Sequence, residues 1–279
     1  MQIKVDDGLL RPLISGERFS VIYKVLGTET AALARARDIC IEQTIEFPEE
    51  CVPEGAIRDS IFGRIERIGK YQGNEEEKEE VDPESYLVEI SYAVETCASE
   101  FTQLLNVIFG NISIKPGIRV EKILLSPTLF RLFRGPRFGI EGLRRLLQAD
   151  QGPLLFTALK PLGLSAAELA RLAYQFAIGG IDIIKDDHGL SNQICSPFAE
   201  RVKLCVEAVQ KANRETGRRA IYVPNVTAPA RLLPERARMA KEYGAGGLLI
   251  VPGLTGFDAM KELAEDDRIA LPVFSHPAF

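Results

Sequence analysis

Two kinds of hydrophobic spacing divide this chain. Up to about residue 145, strand-like and helix-like segments mix without a regular repeat. "RFSVIYKVL" (18–26) and "SYLVEISYAV" (85–94) read as strands, the latter alternating apolar and polar residues. "TETAALARARDICIEQT", which opens with the cap-capable Thr28, and "ASEFTQLLNVIFG" read as helices. The acidic run "GNEEEKEEVDPES" (73–85) reads as a solvated loop. The expectation is an N-terminal α+β domain over residues 1–145.

From residue 146 onward, apolar strands alternate strictly with helices. "PLLFTALK", "IDIIKDD", "RAIYVPNVT", "GLLIVPGLTG" and "IALPVFSHPAF" read as five strands. The helix "SAAELARLAYQFAIGG" has Ser165 as cap, Glu168 three residues later and glycines at its end. "SPFAERVKLCVEAVQKANRETG" is expected to start with Ser196 as cap and Pro197 at its first position. "LPERARMAKEYGAG" and "FDAMKELAEDD" complete the alternation. This order argues for a parallel α/β sheet. Polar residues gather at the C-terminal ends of the strands: Lys160, then Lys185 to His188, then Asn225 and Thr227, then Thr255, then Ser275 and His276. That is where (β/α)8 barrels and open α/β sheets carry their sites. A full barrel takes about 250 residues, so 146–279 is expected to be an open sheet or a C-terminally incomplete barrel.

Composition narrows the function classes. Apolar residues make up 46%, charged residues 26%, and the formal net charge is -5. No basic stripe stands out, which argues against a nucleic-acid partner. No apolar run of about 18 residues occurs, and the N-terminus lacks an apolar signal core. A soluble, cytoplasmic protein without a membrane partner is expected. The 5 cysteines are widely spaced without a CxxC, as reduced thiols in a cytosolic chain would be, and 2 histidines exclude a multi-histidine metal site.

The candidate chemistry sits in "AIGGIDIIKDDHGL" (177–190), where a β-branched core strand ends in Lys185, Asp186, Asp187 and His188. Burying charge is costly unless it is paired or metal-bound. Residues i and i+2 of a strand share a face, so Lys185 and Asp187 point one way and Asp186 the other. Two readings follow. One is a Lys185–Asp187 ion pair closing the strand. The other is a lysine carbamylated by CO2, which becomes a hard oxygen ligand for Mg2+ beside Asp187.

The same run, "GGIDIIKDDHGL", resembles the metal-site signature of the RuBisCO large chain, Gly-Gly-x-Asp-x-x-Lys-Asp-Asp-Glu. "TALKPLGLS" resembles the family's first barrel strand, with its catalytic lysine in a Lys-Pro-Lys-x-Gly-Leu-Ser context. "FRGPRFGI" resembles Gln-Gly-Pro-x-x-Gly-Ile, and "VIFGNISI" resembles the Val-Gly-Asn motif of the N-terminal domain. "YVPNVT" and "FSHPAF" resemble the third and fifth strands. The motifs come in family order. The departures are as informative. The second lysine of Lys-Pro-Lys is absent, His188 stands at the metal-site glutamate, and Pro277 replaces an arginine that helps hold substrate phosphate. Gln103 is taken as the position of the N-domain asparagine that closes over substrate. The chain is therefore similar to RuBisCO-like proteins, the non-carboxylating form IV branch, and to its Lys-Asp-Asp-His subgroup.

The resemblance implies an N-terminal α+β (ferredoxin-like) domain, residues 1–145, followed by a (β/α)8 TIM barrel, residues 146–279, with about five βα units present. It implies Mg2+ held by carbamylated Lys185, Asp187 and His188, with Lys160 and His276 catalytic. Glu42, Gln103, Asn225 and Thr227 would contact substrate. The partner would be a small sugar phosphate, and the protein a homodimer whose active site is shared between chains, Glu42 reaching across. The implied reaction is a metal-stabilised enolate step on a phosphorylated keto sugar or keto sugar acid. Decarboxylation or carboxyl transfer of a 3-oxo-isoapionate-phosphate-like substrate ranks first. An isomerase or enolase of methylthio-sugar phosphates in methionine salvage ranks second. A non-catalytic sugar-phosphate binder, or a Schiff-base aldolase using Lys160 or Lys185, are the other classes.

Overall fold

The structure, a computed structural model, describes residues 6–72 and 84–278. Most of the acidic run expected to be a loop thus lies outside the described residues. The chain divides into two compact units between Phe133 and Arg134.

The first unit has the order β1 (Arg18–Leu26), α1 (Glu29–Glu42), β2 (Arg64–Lys70), β3 (Ser85–Ala93), α2 (Phe101–Ile108), β4 (Ile118–Leu124). Its antiparallel sheet runs β2-β3-β1-β4, the ferredoxin-like arrangement expected from the sequence. Alternation in β1 buries Phe19, Val21, Tyr23 and Val25. Helix α1 lays Ala32, Ala36, Ile39 and Cys40 into the same core. Thr28 caps it as the sequence suggested, accepting the Ala31 amide. The edge strands β2 and β4 escape the sequence reading because most of their residues stay exposed or half-buried, which dilutes the apolar signal.

The second unit starts with α3 (Gly139–Leu147) and then alternates β5 (Phe156–Leu159), α4 (Ala166–Ile178), β6 (Ile183–Asp186), α5 (Phe198–Thr216), β7 (Ile221–Val223), α6 (Leu233–Glu242), β8 (Leu248–Ile250), α7 (Phe257–Glu265) and β9 (Val273–Ser275). Strands β5-β6-β7 pair in parallel, as do β8-β9. The Leu249 amide donates to the Pro224 carbonyl and the Val226 amide to the Leu249 carbonyl, each at 2.9 Å, joining the two sets in sequence order. One face of the strands carries Ile183, Ile221, Val223 and Leu249, covered by Leu147 of α3. The other carries Ile184, Tyr222, Leu248 and Ile250 against the helices. Because Leu143 and Leu147 pack on that first face, α3 belongs with the second unit, and the division falls upstream of the boundary expected at 145/146.

Helix α4 carries the capping box read from Ser165 and Glu168. Helix α5 differs from expectation. It begins at Phe198 with Pro197 as N-cap, and the Asn192 side chain accepts the Phe198 amide at 2.8 Å. Ser196 is fully buried and its hydroxyl caps nothing. No helix among the described residues is long and apolar enough to cross a membrane.

Candidate active site

Strand alternation gives the end of β6 two faces. Ile183 packs in the cluster under α3, and Lys185 shares its face, while Ile184 and Asp186 turn toward the helices. Lys185 Nζ donates to the Asp186 carbonyl at 3.0 Å. Burial holds its ammonium below the usual lysine value, with Lys160 adding repulsion and the Asp187 and Asp186 charges opposing. The Lys185–Asp187 ion pair is not formed. Asp187 Oδ1 lies instead 3.5 Å from Lys160 Nζ and 3.6 Å from His188 Nδ1.

The His188 ring stacks on His276, with centroids 4.7 Å apart and planes at 25°. The Ala278 amide donates to His276 Nδ1 at 3.1 Å, so this nitrogen is an acceptor and the neutral ring carries its proton on Nε2. Burial, then His188 and Lys185, lower the His276 pKa below the ordinary imidazole value. The His276 amide is tied to the Ile250 carbonyl at 2.9 Å, which anchors the ring to the end of β8. Lys160, Lys185, Asp187, His188 and His276 therefore gather at the ends of β5, β6 and β9.

Asn225 and Thr227 sit at the end of β7 in a different capacity. Asn225 is 1% exposed. Its Nδ2 donates to the carbonyls of His188 (2.8 Å) and Leu190 (2.9 Å), and its Oδ1 accepts the Thr227 amide at 3.1 Å. Both amide donors are spent on the loop after β6. Thr227 Oγ1 accepts the Val251 amide at 3.0 Å, tying the ends of β7 and β8 together.

Asp186 anchors this arrangement from behind. Burial pushes its carboxyl up, and three donors oppose that: Arg201 Nε at 3.2 Å, Tyr222 OH at 2.6 Å and the Asn225 amide at 3.0 Å. The side chains of Asp186 and Arg201 are both 0% exposed. The sequence placed Asp186 away from the site but did not find Arg201. Its signal was a charged residue amid the buried stripe of α5, beside Val202, Cys205 and Val209.

Metal binding can be judged from the donors. Among the described residues, no three His, Cys, Asp or Glu side chains group closely enough to hold an ion. Asp187 and His188 offer two donors, and Lys185 would offer a third only as a carbamate. A half-buried amine whose charge is disfavoured is the kind that adds CO2, and the carbamate would give a second hard oxygen donor beside Asp187. On that condition the residues fit Mg2+, with imidazole the softest member of the set.

In the first unit, Glu42 and Gln103 both line a cavity of about 410 Å3. Gln103 Nε2 donates to the Thr96 carbonyl at 3.2 Å. The side chain that bonds Glu42 is Asn111, whose Nδ2 reaches Glu42 Oε1 at 2.7 Å. Asn111, missed by the sequence reading, was signalled by "FGN" within "VIFGNISI". Gly110 before it has φ +24°, and a Cβ there would meet the Asn106 carbonyl oxygen at 2.5 Å.

Known proteins share this architecture. Residues 139–276 match the ribulose bisphosphate carboxylase large chain catalytic domain family. A ribulose bisphosphate carboxylase-like protein 1 from Rhodopseudomonas palustris is 35% identical over 262 residues, covering 94% of this chain and 68% of that protein. A 5-methylthioribulose-1-phosphate isomerase from Rhodospirillum rubrum is 34% identical, over 94% of this chain and 67% of that protein. The crystal structure of a Rubisco-like protein from Rhodopseudomonas palustris superposes with a TM-score of 0.83 at 36% identity, covering 94% of this chain and 70% of the other. With a parallel strand array ending in a lysine–aspartate–histidine cluster, and relatives matched over two thirds of their length, the chain belongs to the RuBisCO large-chain family and is similar to its RuBisCO-like members.

Proposed function

We propose that this chain moves a proton next to the carbonyl of a phosphorylated keto sugar and does not fix CO2. The observation that carries this reading is the cluster of Lys160, Asp187, His188 and His276 around the inward-facing Lys185. Mg2+ held by Asp187, carbamylated Lys185 and His188 would polarise the carbonyl and stabilise the negative charge that develops beside it. The protein groups do the rest. Lys160, with a side chain 65% exposed, stands at the open mouth and is placed to take and return the proton. His276, neutral with Nδ1 occupied, presents its Nε2 proton to a substrate oxygen.

The name of the Rhodospirillum rubrum relative supports isomerisation of a methylthio-sugar phosphate ahead of the decarboxylation that ranked first from sequence. Decarboxylation keeps one observation in its favour. With the ion bound, Lys160 and Mg2+ would face only the charges of Asp187 and the Lys185 carbamate, since Asp186 is spent on Arg201. That balance suits a substrate bearing an extra carboxylate. Glu42 is proposed to act in the site of a second copy, as the family resemblance implies, and Asn111, bonded to it at 2.7 Å, would orient its carboxylate.

The test begins with calorimetric Mg2+ titration, with and without bicarbonate, on the wild type and Lys185→Ala. Binding that needs bicarbonate and vanishes in the variant is expected. Next, 5-methylthioribulose 1-phosphate and a 3-oxo sugar-acid phosphate are followed by NMR in D2O. A carbonyl moved to the neighbouring carbon with no loss of CO2 marks isomerisation, and CO2 release marks decarboxylation; deuterium beside the carbonyl reports the enolate common to both. A borohydride-trapped lysine adduct would replace this reading with Schiff-base chemistry.

A further inference from the structure

The loop between β6 and α5, residues 187–197, carries Asp187 and His188 yet has no strand or helix of its own. Its path is set by side chains from behind. Arg201 Nη1 donates to the Ser196 carbonyl at 2.6 Å and Nη2 to the Ser191 carbonyl at 2.7 Å, while Nε holds Asp186. Asn225, whose own amide is fixed on Asp186, takes the carbonyls of His188 and Leu190. Arg236 bridges Ser191 Oγ (3.0 Å) to the Thr227 carbonyl (2.9 Å). Four loop carbonyls thus hang, directly or through Asn225, on one buried ion pair.

A fully buried pair is a poor source of stability, because desolvating both charges offsets much of their attraction. What it supplies here is direction. The guanidinium is a rigid planar fork, and its three nitrogens address three separate acceptors. An ammonium in its place would neutralise Asp186 without spanning both carbonyls.

We propose that Arg201 is a positioning residue: seated on Asp186, it fixes the 187–197 loop and so places Asp187 and His188 over the site. The proposal rests on the reading of that cluster as catalytic, but its test needs neither metal nor substrate. The chain has 2 histidines, so the ring protons of His188 and His276 are readily assigned by NMR. Their stacking at 4.7 Å gives a through-space cross-peak in the metal-free wild type.

In Arg201→Lys, with near-native thermal melting, the cross-peak is expected to disappear. The loop amides of Leu190 and Ser196 should exchange with solvent about tenfold faster or more. Ser196→Ala, which removes a hydroxyl with no partner, should leave both readouts as in the wild type. An unchanged cross-peak and unchanged exchange in folded Arg201→Lys overturn the proposal. So does an equal loss in Ser196→Ala, which would mean that any change nearby disturbs the loop. Should Arg201→Lys fail to fold, the double variant Asp186→Asn/Arg201→Gln decides. It removes both buried charges together with the guanidinium fork, and it must lose the cross-peak for the clamp to stand. Wild-type Mg2+ binding, measured alongside, judges the metal reading independently.

Discussion

His188 and His276 lie ring against ring, 4.7 Å apart, at the ends of β6 and β9. The sequence marked each as a separate candidate, and the fold makes them one surface. His276 is locked by its amide on Ile250 and by the Ala278 amide on Nδ1. It therefore serves as the fixed plate against which His188, on its loop, is registered. An aromatic contact thus stands where the family signature has a carboxylate.

Tyr222 is the simplest probe of the charge network beneath this pair. Its hydroxyl donates to Asp186 Oδ1 at 2.6 Å, and the side chain is almost wholly buried. Tyr222→Phe keeps the ring and removes one donor from a buried carboxylate. The expected loss is about 2 kcal/mol of stability, the range for hydrogen bonds to charged groups. Urea unfolding measures it, and a loss close to zero would mean that Asp186 does not depend on this donor.

The approach of β8 to its neighbours depends on Gly246. A Cβ there would come within 2.4 Å of Ile221 Cβ and 2.5 Å of its Cγ2. Ile221 sits in the packed layer under α3 and has little room to yield. Gly246→Ala should cost about 1–3 kcal/mol, as overpacked cores do. Melting of the purified variant reports it, and wild-type stability would show that the strand can shift.

How much of this was legible beforehand follows from what each element buries. Strand β6 could be read because both of its faces are covered, so the apolar run is continuous and the charges at its end stand out. Period two then separated Lys185 and Asp187 from Asp186 correctly. Strands β2 and β4 could not be read, being half-exposed edges. The Ser196 cap failed because capping depends on the path of the preceding loop, and Asn192 arrives there first. Arg201 and Asn111 act through long-range partners, Asp186 and Glu42, that no local pattern pairs.

Glu17 gives a pH dependence in the first unit. Its carboxylate accepts the hydroxyl and the amide of Thr128, which hold its pKa below the usual range. A depressed folded pKa means stability that is complete above the unfolded value of about 4.3 and is lost as pH falls through the folded one. Glu17→Gln should therefore lower the melting temperature near neutrality. Its gap to the wild type should close by about pH 3. A gap constant with pH would assign the effect to shape rather than charge.

The cysteines should divide by burial. Cys40, Cys97 and Cys205 are buried, Cys51 and Cys195 exposed. Burial pushes the Cys40 thiol up to about 12 and Cys97 to about 11, and raises Cys205 as well. A disulfide reagent near pH 8 should modify two thiols quickly in the native protein and the rest only on unfolding. Replacing Cys51 and Cys195 by serine should abolish the fast phase. Rapid reaction of a third thiol would show that one unit opens locally.

Lys160 and Asp187 touch, at 3.5 Å, but the proposed chemistry gives them different work. Asp187 supplies a hard oxygen donor, so Asp187→Asn should abolish bicarbonate-dependent Mg2+ binding and turnover together. Lys160 has no share in holding the ion if its task is the proton. Lys160→Met keeps the aliphatic stem and removes the titratable end. It should therefore bind Mg2+ as the wild type does while kcat falls about 10^2- to 10^4-fold, the usual worth of a positioned acid–base group. The two assays separate the alternatives. If Lys160→Met loses the metal as well, the lysine acts by fixing Asp187. If it keeps both metal and turnover, the proton is handled by the His188–His276 pair.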